Sequence, residues 1–267
     1  MNRKCIVLLL ALLLIPTIVF AWIDTSHMDG SYPIIGGGWS CIDSGTGYGA
    51  IVSDSTSPDP STVLKLTYPA GFYNGNYAAK CWNMLPGSTT PSVQYTELWV
   101  QYYFKYSSNY YFHPVDNKQT YYFTGGSNSA NNWYISVNGS HHVNVVTQTF
   151  NTDRHLPNTG YDPVINAGQW YKMRARFVMN TPGVLNGILQ IWINDQLVIN
   201  KSTVGYISQA EGIREVQIAP VFGGNTGVSK PAEDYQYYEL FTISTSPING
   251  GGPYLSNPMP PSRLQIQ

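Results

Sequence analysis

Residues 97–106, Glu97-Leu98-Trp99-Val100-Gln101-Tyr102-Tyr103-Phe104-Lys105-Tyr106, decide the fold class. Side chains on a β-strand alternate between its two faces. Leu98, Val100, Tyr102 and Phe104 therefore share one face, which reads as core. Glu97, Trp99, Gln101, Tyr103 and Lys105 share the other. A helix of period 3.6 would scatter both sets. The same alternation runs through Trp170 to Met179, with Tyr171, Met173, Ala175 and Phe177 on one side and Lys172, Arg174 and Arg176 on the other.

Working outward, further strand signals fall at Val63–Tyr68, Lys118–Thr124, Trp133–Val137 and Val143–Phe150. Ile188–Ile193 and Leu197–Asn200 flank Asn194-Asp195, a hairpin turn signal. Val216–Phe222 and Tyr235–Ser244 close the series. No stretch beyond the N-terminal segment holds a helical period over 12 residues. Ten short strands without crossover helices predict an all-β protein, an antiparallel two-sheet sandwich or barrel.

Composition agrees and excludes several functions. The chain has 267 residues, with 14 Lys and Arg against 15 Asp and Glu, and only 11% of its residues are charged. A formal charge of −1 with no basic block argues against nucleic acid as a partner. A hydrophobic share of 43% is enough for a core. Few charges beside 21 Tyr and 7 Trp describe a β-rich, extracellular type of protein.

The N-terminus fits that compartment. Arg3 and Lys4 precede an apolar run from Cys5 to Phe20, and Val19 and Ala21 satisfy the small-residue rule for cleavage after Ala21. Residues 1–21 read as a secretory signal, placing the mature chain outside the cell or in the periplasm, with no membrane partner after cleavage. The competing reading, a retained anchor, is opposed by the shortness of the run and by Pro16. Of three Cys, Cys5 leaves with the signal. Cys41 and Cys81 are expected to form a disulfide, with two reduced buried thiols as the alternative. Residues 22–247 read as one domain. Residues 248–267, rich in Gly and Pro, read as an irregular tail.

Several of these stretches resemble the concanavalin-A-like lectin/glucanase jelly roll. They are Gln169-Trp170-Tyr171 opening a strand that ends at Asn180, and Asn186 through Asp195 with Leu197 and Val198. Phe222-Gly223-Gly224 followed by Asp234-Tyr235, and Val63 to Pro69 with Gly71, belong to the same pattern. Phe104-Lys105-Tyr106-Ser107, His113 and Asn117-Lys118 resemble a segment of secreted bacterial proteins related to polysaccharide lyases. The resemblance covers most of residues 36–245. It implies two curved antiparallel sheets with a glycan groove on the concave one, lined by His, Tyr, Gln or Arg in the lyases. It implies no required cofactor, and a structural Ca²⁺ drawn from Asp24, Asp29, Asp43 or Asp234.

Residue chemistry narrows the choice of activity. Glycoside hydrolysis usually needs a pair of carboxyl groups. Glu97, Glu211, Glu215, Glu233 and Glu239 are the only Glu, and no closely spaced acid motif joins them. A lyase acting on a uronate glycan needs a group to neutralise the carboxylate, a base for the C5 proton and an acid for the leaving oxygen. His113, Tyr122 and Lys118 are the catalytic candidates. Tyr122 is chosen because strict alternation puts it on the face of Lys118. Gln101, Tyr103, Lys105, Asn117, Trp99, Arg174 and Arg176 are the substrate-binding candidates. A solvated strand face is the plain alternative for all of these. Trp99, Tyr103, Tyr110, Tyr111, Trp133 and Tyr235 are expected to supply a sugar-stacking platform, with Trp170 and Trp192 packing in the sandwich or sealing its edge. No metal-site spacing occurs: His141-His142 is an adjacent pair, His155 reads as surface, and His27 lies near the cleavage site.

The expected partner is a polysaccharide. A lyase for an acidic glycan, a non-catalytic glycan-binding or adhesive module and, less favoured, a glycoside hydrolase stay open. Oligomeric state is not legible.

Overall fold

The computed structural model describes residues 23–248 apart from 27, 29, 31, 33–36, 60–61, 88–94, 126–130, 149 and 225. The signal segment, the tail from 249, His27 and Asp29 lie outside the described residues. Every named element is a strand: β1 Ile23–Ser26, β2 Ser40–Asp43, β3 Gly49–Ser53, β4 Thr62–Tyr68, β5 Ala79–Met84, β6 Glu97–Tyr106, β7 Asp116–Thr124, β8 Asn132–Asn138, β9 Val143–Gln148, β10 Asp153–His155, β11 Trp170–Val178, β12 Gly187–Ile193, β13 Gln196–Val204, β14 Ile213–Ile218 and β15 Asp234–Ser244. No helix of the described residues is long and apolar enough to cross a membrane.

The strands form two antiparallel sheets. Sheet I has the order β13-β12-β11-β6-β15-β4-β3, with β1 paired to the second half of β15. Sheet II has the order β10-β9-β8-β7-β14-β5-β2. The sandwich expected from alternation is what forms. Leu98, Val100, Tyr102 and Phe104 of β6 and Met173, Ala175 and Phe177 of β11 face the core, as do Tyr122, Trp133, Ile135, Val143 and Val145 of sheet II. Phe177 bridges the sheets, its ring 4.4 Å from that of Tyr122 and 5.5 Å from that of Trp133. Burying a side chain of this kind is worth about 1.5–3 kcal/mol.

The core tolerates polar atoms by pairing them. Tyr102 donates to Gln119 Oε1 at 3.0 Å, and Gln119 donates to the Tyr106 hydroxyl at 3.2 Å. Buried phenols need such partners, which is how so many Tyr fit inside. The Asn194-Asp195 hairpin joins β12 to β13 with φ of 49° and 67°, the left-handed pair that a two-residue turn of this kind requires. Cys41 and Cys81 form a disulfide and are direct cross-strand partners of β2 and β5. It closes a separation of 40 residues and contributes roughly 2–4 kcal/mol. Strands β1, β2, β3, β5 and β10 went unread in the sequence because each is short and lies at or near a sheet edge, where alternation has little length to show itself.

Candidate active site

The outer face of sheet II is shaped by one irregularity in β7. Lys118 pairs with Ser136 and Thr120 with Ile135, so Gln119 is an extra residue in the ladder. A β-bulge of this kind puts two successive side chains on the same side. Gln119 and Thr120 both turn inward, where they meet the Tyr102 hydroxyl. Alternation then resumes one step out of phase. Tyr121 shares the outer face with Lys118, and Tyr122 points into the core. The expectation for Tyr122 is therefore corrected: it is fully buried, hydrogen-bonded to Thr120 at 3.1 Å and stacked on Trp133.

Tyr134 of β8 pairs with Tyr121, completing a trio. The Lys118 ammonium lies 4.5 Å from the Tyr134 ring centre and 5.5 Å from that of Tyr121. No carboxylate among the described residues is within ion-pair reach of it. Next to the trio stands a fixed guanidinium. Arg154 of β10 reaches Asp116 with both terminal nitrogens, at 2.8 and 2.6 Å, and Asn144 at 2.9 Å. Ser136 also bonds Asp116, at 3.0 Å. Asp116 is almost wholly buried, so this forked pairing locks Arg154 in one orientation.

These surroundings tune the trio. Burial pushes the Lys118 pKa down; Asp116 opposes that shift and Arg154 adds to it. Burial, with Asp116 nearby, pushes the Tyr134 hydroxyl up to about 12. Tyr121 is raised as well, mainly by burial and then by Tyr134 and Asp116. The lysine is thus shifted toward the neutral amine and both phenols toward the protonated form. An amine base beside a phenolic acid is a pair that can move two protons in opposite senses.

The remaining sequence candidates fall elsewhere. Trp99, Gln101, Tyr103, Lys105, Arg174 and Arg176 do share one face, since Arg174 pairs with Gln101 and Arg176 with Trp99. That face is the outer side of sheet I, across the core from Lys118. Several of its cations are already matched, while Lys65 of β4, in the row of Lys105, lies 3.6 Å from the Tyr235 ring centre. Lys105 bonds Asp54 and also Thr56 at 3.0 Å. Lys172 pairs with Asp195, and Arg176 with Glu97 at 2.9 Å. Arg174 stacks on Trp192 at 4.7 Å and donates to the Ile248 carbonyl. Trp99 and Trp192 stack at 5.7 Å, so Trp192 lies on this outer surface and not in the sandwich core. Trp170 belongs there too, in a small cluster with Tyr103 and Leu240. Of the expected platform, Tyr110 and Trp133 are core residues.

His113 is buried, and both of its ring nitrogens are engaged. Nδ1 accepts from the Val115 amide at 3.1 Å, which leaves the proton on Nε2, 2.8 Å from Thr226. Its ring packs on Gly223, where a Cβ would come within 2.1 Å of it and where φ is +70°. Burial lowers the His113 pKa, with Asp116 opposing and Lys230 adding. Asn117 caps the same corner, accepting from the His113 amide at 2.8 Å and donating to the Val137 carbonyl. His113 and Asn117 therefore hold the start of β7 against the loop after β14, and Lys118 alone of the three catalytic candidates stands on the open face. Tyr121, Tyr134, Asp116 and Arg154 were missed. Nothing in the sequence marks the extra residue at Gln119, and the β7–β8 register is what places Tyr121 on the face of Lys118.

No group of three or more His, Cys, Asp or Glu among the described residues is placed to hold a metal. Asp43 is bonded to Tyr32 and the Tyr48 amide, and Asp234 to Lys230.

Comparison with known proteins adds to this geometry. The family model described as polysaccharide lyase 14 matches residues 164–241. No curated protein matches the chain. A marine PL-14 alginate lyase from Aplysia kurodai is similar with a TM-score of 0.62 and 15% identity, covering 83% of this chain and 97% of that one. An endo-β-1,4-glucuronan lyase from the fungus Trichoderma reesei is similar with a TM-score of 0.59 and 14% identity, over 84% and 95%. An alginate lyase from a Chlorella virus gives 0.61 and 14%, over 78% and 93%. The fold is a concanavalin-A-like jelly roll. Within this jelly roll the matched segment supplies β11 to β14 and most of β15, while Lys118, Tyr121 and Tyr134 lie outside it.

Proposed function

We propose that this protein is an exported polysaccharide lyase that cleaves a uronate-containing glycan by β-elimination on the outer face of sheet II. The observation that carries the reading is Lys118, a desolvated lysine lying on two tyrosine rings beside a fixed arginine. The Cys41–Cys81 disulfide supports export, because such bonds persist in oxidising compartments. The family match and the lyase structures of similar fold support the reaction class.

The chemistry runs as follows. Arg154 turns to the uronate carboxylate the N–H groups that Asp116 and Asn144 leave over, on Nε and Nη2, and spreads its charge, which makes the C5 proton more acidic. The neutral Lys118 amine takes that proton. The C4–O4 bond breaks as the C4–C5 double bond forms, and Tyr134 gives its proton to the departing oxygen. Lys118 is left as an ammonium and Tyr134 as a phenolate. Their contact lets one proton pass from nitrogen to oxygen, directly or through Tyr121, and the site is restored. Arg154 also works electrostatically, since its charge favours the neutral form of Lys118.

The test is a panel of alginate, glucuronan, pectate and glycosaminoglycans, followed by ultraviolet absorbance of the unsaturated product. Absorbance from at least one uronan is expected. Binding without absorbance identifies a glycan-binding module instead. Reducing ends released from a neutral glucan without absorbance identify a hydrolase.

A further inference from the structure

Sheet II carries a second unmatched lysine on the same face. Lys80, Trp82 and Met84 of β5 alternate outward, while Cys81 faces the core. Lys80 Nζ lies 5.3 Å from the Tyr77 ring centre and 6.0 Å from that of Trp82. Among the described residues no carboxylate is within ion-pair reach of it. Trp82 is partly exposed. This group repeats the composition of the Lys118 trio, a cation flanked by two aromatic faces.

The register fixes how the two groups are related. Trp82 pairs with Gln217, Gln217 with Tyr121, and Tyr121 with Tyr134. These four side chains form one row running across β5, β14, β7 and β8. Lys80 precedes Cys81, the partner of Ile218, and the amide of the next residue, Ala219, donates to Gln119 beside Lys118. The Lys118 amide itself donates to the Val221 carbonyl, so Lys80 and Lys118 are two strands apart and offset along them by the step from Ala219 to Val221. Two strand spacings of ~10 Å with that offset set them roughly 12 Å apart. Two cations at that separation over a row of ring faces match a polyanion whose charges recur along its length.

We infer that Lys80 and Trp82 form a second uronate-binding subsite, so that the acidic glycan lies across the strands of sheet II and extends from Lys118 toward β5. Lys80 takes a carboxylate of a sugar unit beyond the scissile bond, and Trp82 stacks on its ring. The inference rests on the uronate reading of the Lys118 site.

The experiment separates binding from turnover. Affinity for the uronan that the wild-type enzyme degrades is measured with the full-length Lys118→Ala variant and compared with Lys118→Ala/Lys80→Ala and Lys118→Ala/Trp82→Ala. A drop of roughly tenfold is expected for each added substitution, diminishing as salt rises for the lysine, with Lys80→Arg retaining most of the affinity. In the active background, Lys80→Ala should raise KM on polymer by a similar factor. It should leave kcat within about twofold and not affect the shortest oligosaccharide cleaved. Unchanged affinity in both added variants overturns the subsite even when the wild type is an active lyase. An equal loss on short and long substrates also overturns it. A wild type that releases no unsaturated product from any uronan overturns instead the lyase reading on which it stands.

Discussion

On sheet I, Lys105 meets Asp54, Lys172 meets Asp195 and Arg176 meets Glu97; on sheet II, Lys118 and Lys80 lie over aromatic rings and meet no carboxylate among the described residues. Both faces carry Lys, Arg, Trp and Tyr in alternating rows, so composition does not separate them. What separates the Lys105, Lys172 and Arg176 region of sheet I from the Lys118 and Lys80 region of sheet II is whether the positive charge has been cancelled internally; Lys65, over the Tyr235 ring, lies outside the matched group. An anionic ligand arriving at Lys105, Lys172 or Arg176 would compete with the carboxylate that each already holds. At sheet II it would meet Lys118 and Lys80, whose charge no carboxylate of the described residues takes up, beside Arg154, which its pairing with Asp116 holds in place. The same residue types thus give a self-contained surface on one side of the sandwich and a receptive one on the other.

The sharpest way to break this comparison is to keep the charge and remove the base. Lys118→Arg preserves a cation but cannot supply a neutral amine at working pH. Its kcat should fall by about a thousandfold, within the 10²–10⁴ range for loss of a general base. An Arg variant within tenfold of wild type would show that Lys118 acts only as a counter-charge. The pH profile gives an independent reading. Because burial lowers the Lys118 pKa from 10.5, kcat/KM should rise with pH through a value below 10.5. It should fall again only as Tyr134 ionises near about 12.

The next test contrasts two tyrosines of adjacent strands in the same sheet. Tyr134→Phe removes the proton donor on the open face and should cost about a hundredfold in kcat while leaving thermal stability nearly unchanged. Tyr122→Phe removes a hydroxyl buried against Thr120. It should cost about 1 kcal/mol of stability and leave kcat within twofold. Thermal melts and initial rates on both variants decide it. If Tyr122→Phe is the inactive one, the placement of the site on the outer face is wrong.

A smaller effect concerns stability at acid pH. His113 is held neutral by burial, and so is His155, whose lowered pKa is opposed by Asp153 and reinforced by Lys201. For each, the folded pKa lies below the unfolded value of 6.5. The unfolded chain therefore binds more protons between those two values, and stability rises with pH across that window. Their contribution is intact above pH 6.5 and is lost as pH falls through the folded values. The melting temperature should drop on acidification from pH 7 to pH 5, at roughly 2–4 °C per kcal/mol. His113→Asn should flatten the drop. An equal slope in the variant would place the pH dependence elsewhere.

How much was legible in the sequence follows from what alternation can and cannot carry. The residue-by-residue parity of Glu97 to Tyr106 holds throughout β6, and that of Trp170 to Val178 throughout β11, because both strands are long and regularly paired at the centre of sheet I. The Asn194-Asp195 turn and the Cys41–Cys81 bond were likewise readable. In β7 parity fails after Lys118 because one extra residue, Gln119, enters the ladder, and Tyr122 was chosen where Tyr121 stands. The remaining site residues come from β8 and β10, far apart in sequence and brought together only by strand order. His113 looked like a free base because its partners, Gly223 and Thr226, arrive from a loop more than a hundred residues later.

The smallest expected effect tests the other half of the comparison. Lys105→Gln and Arg176→Gln each remove a cation from the face of sheet I. Lys105 stays close to Asp54 and Thr56 and lies 4.8 Å from the Trp170 ring, while Arg176 bonds Glu97 and Gln190. Losing either should cost about 0–1 kcal/mol of stability, the usual range for ion pairs near the surface. Neither should change kcat/KM on a uronan by more than twofold, nor alter the salt dependence of binding. A tenfold loss from either variant with the melt unchanged would mean that sheet I also receives the glycan. Cancelled charge would then not be what distinguishes the two faces.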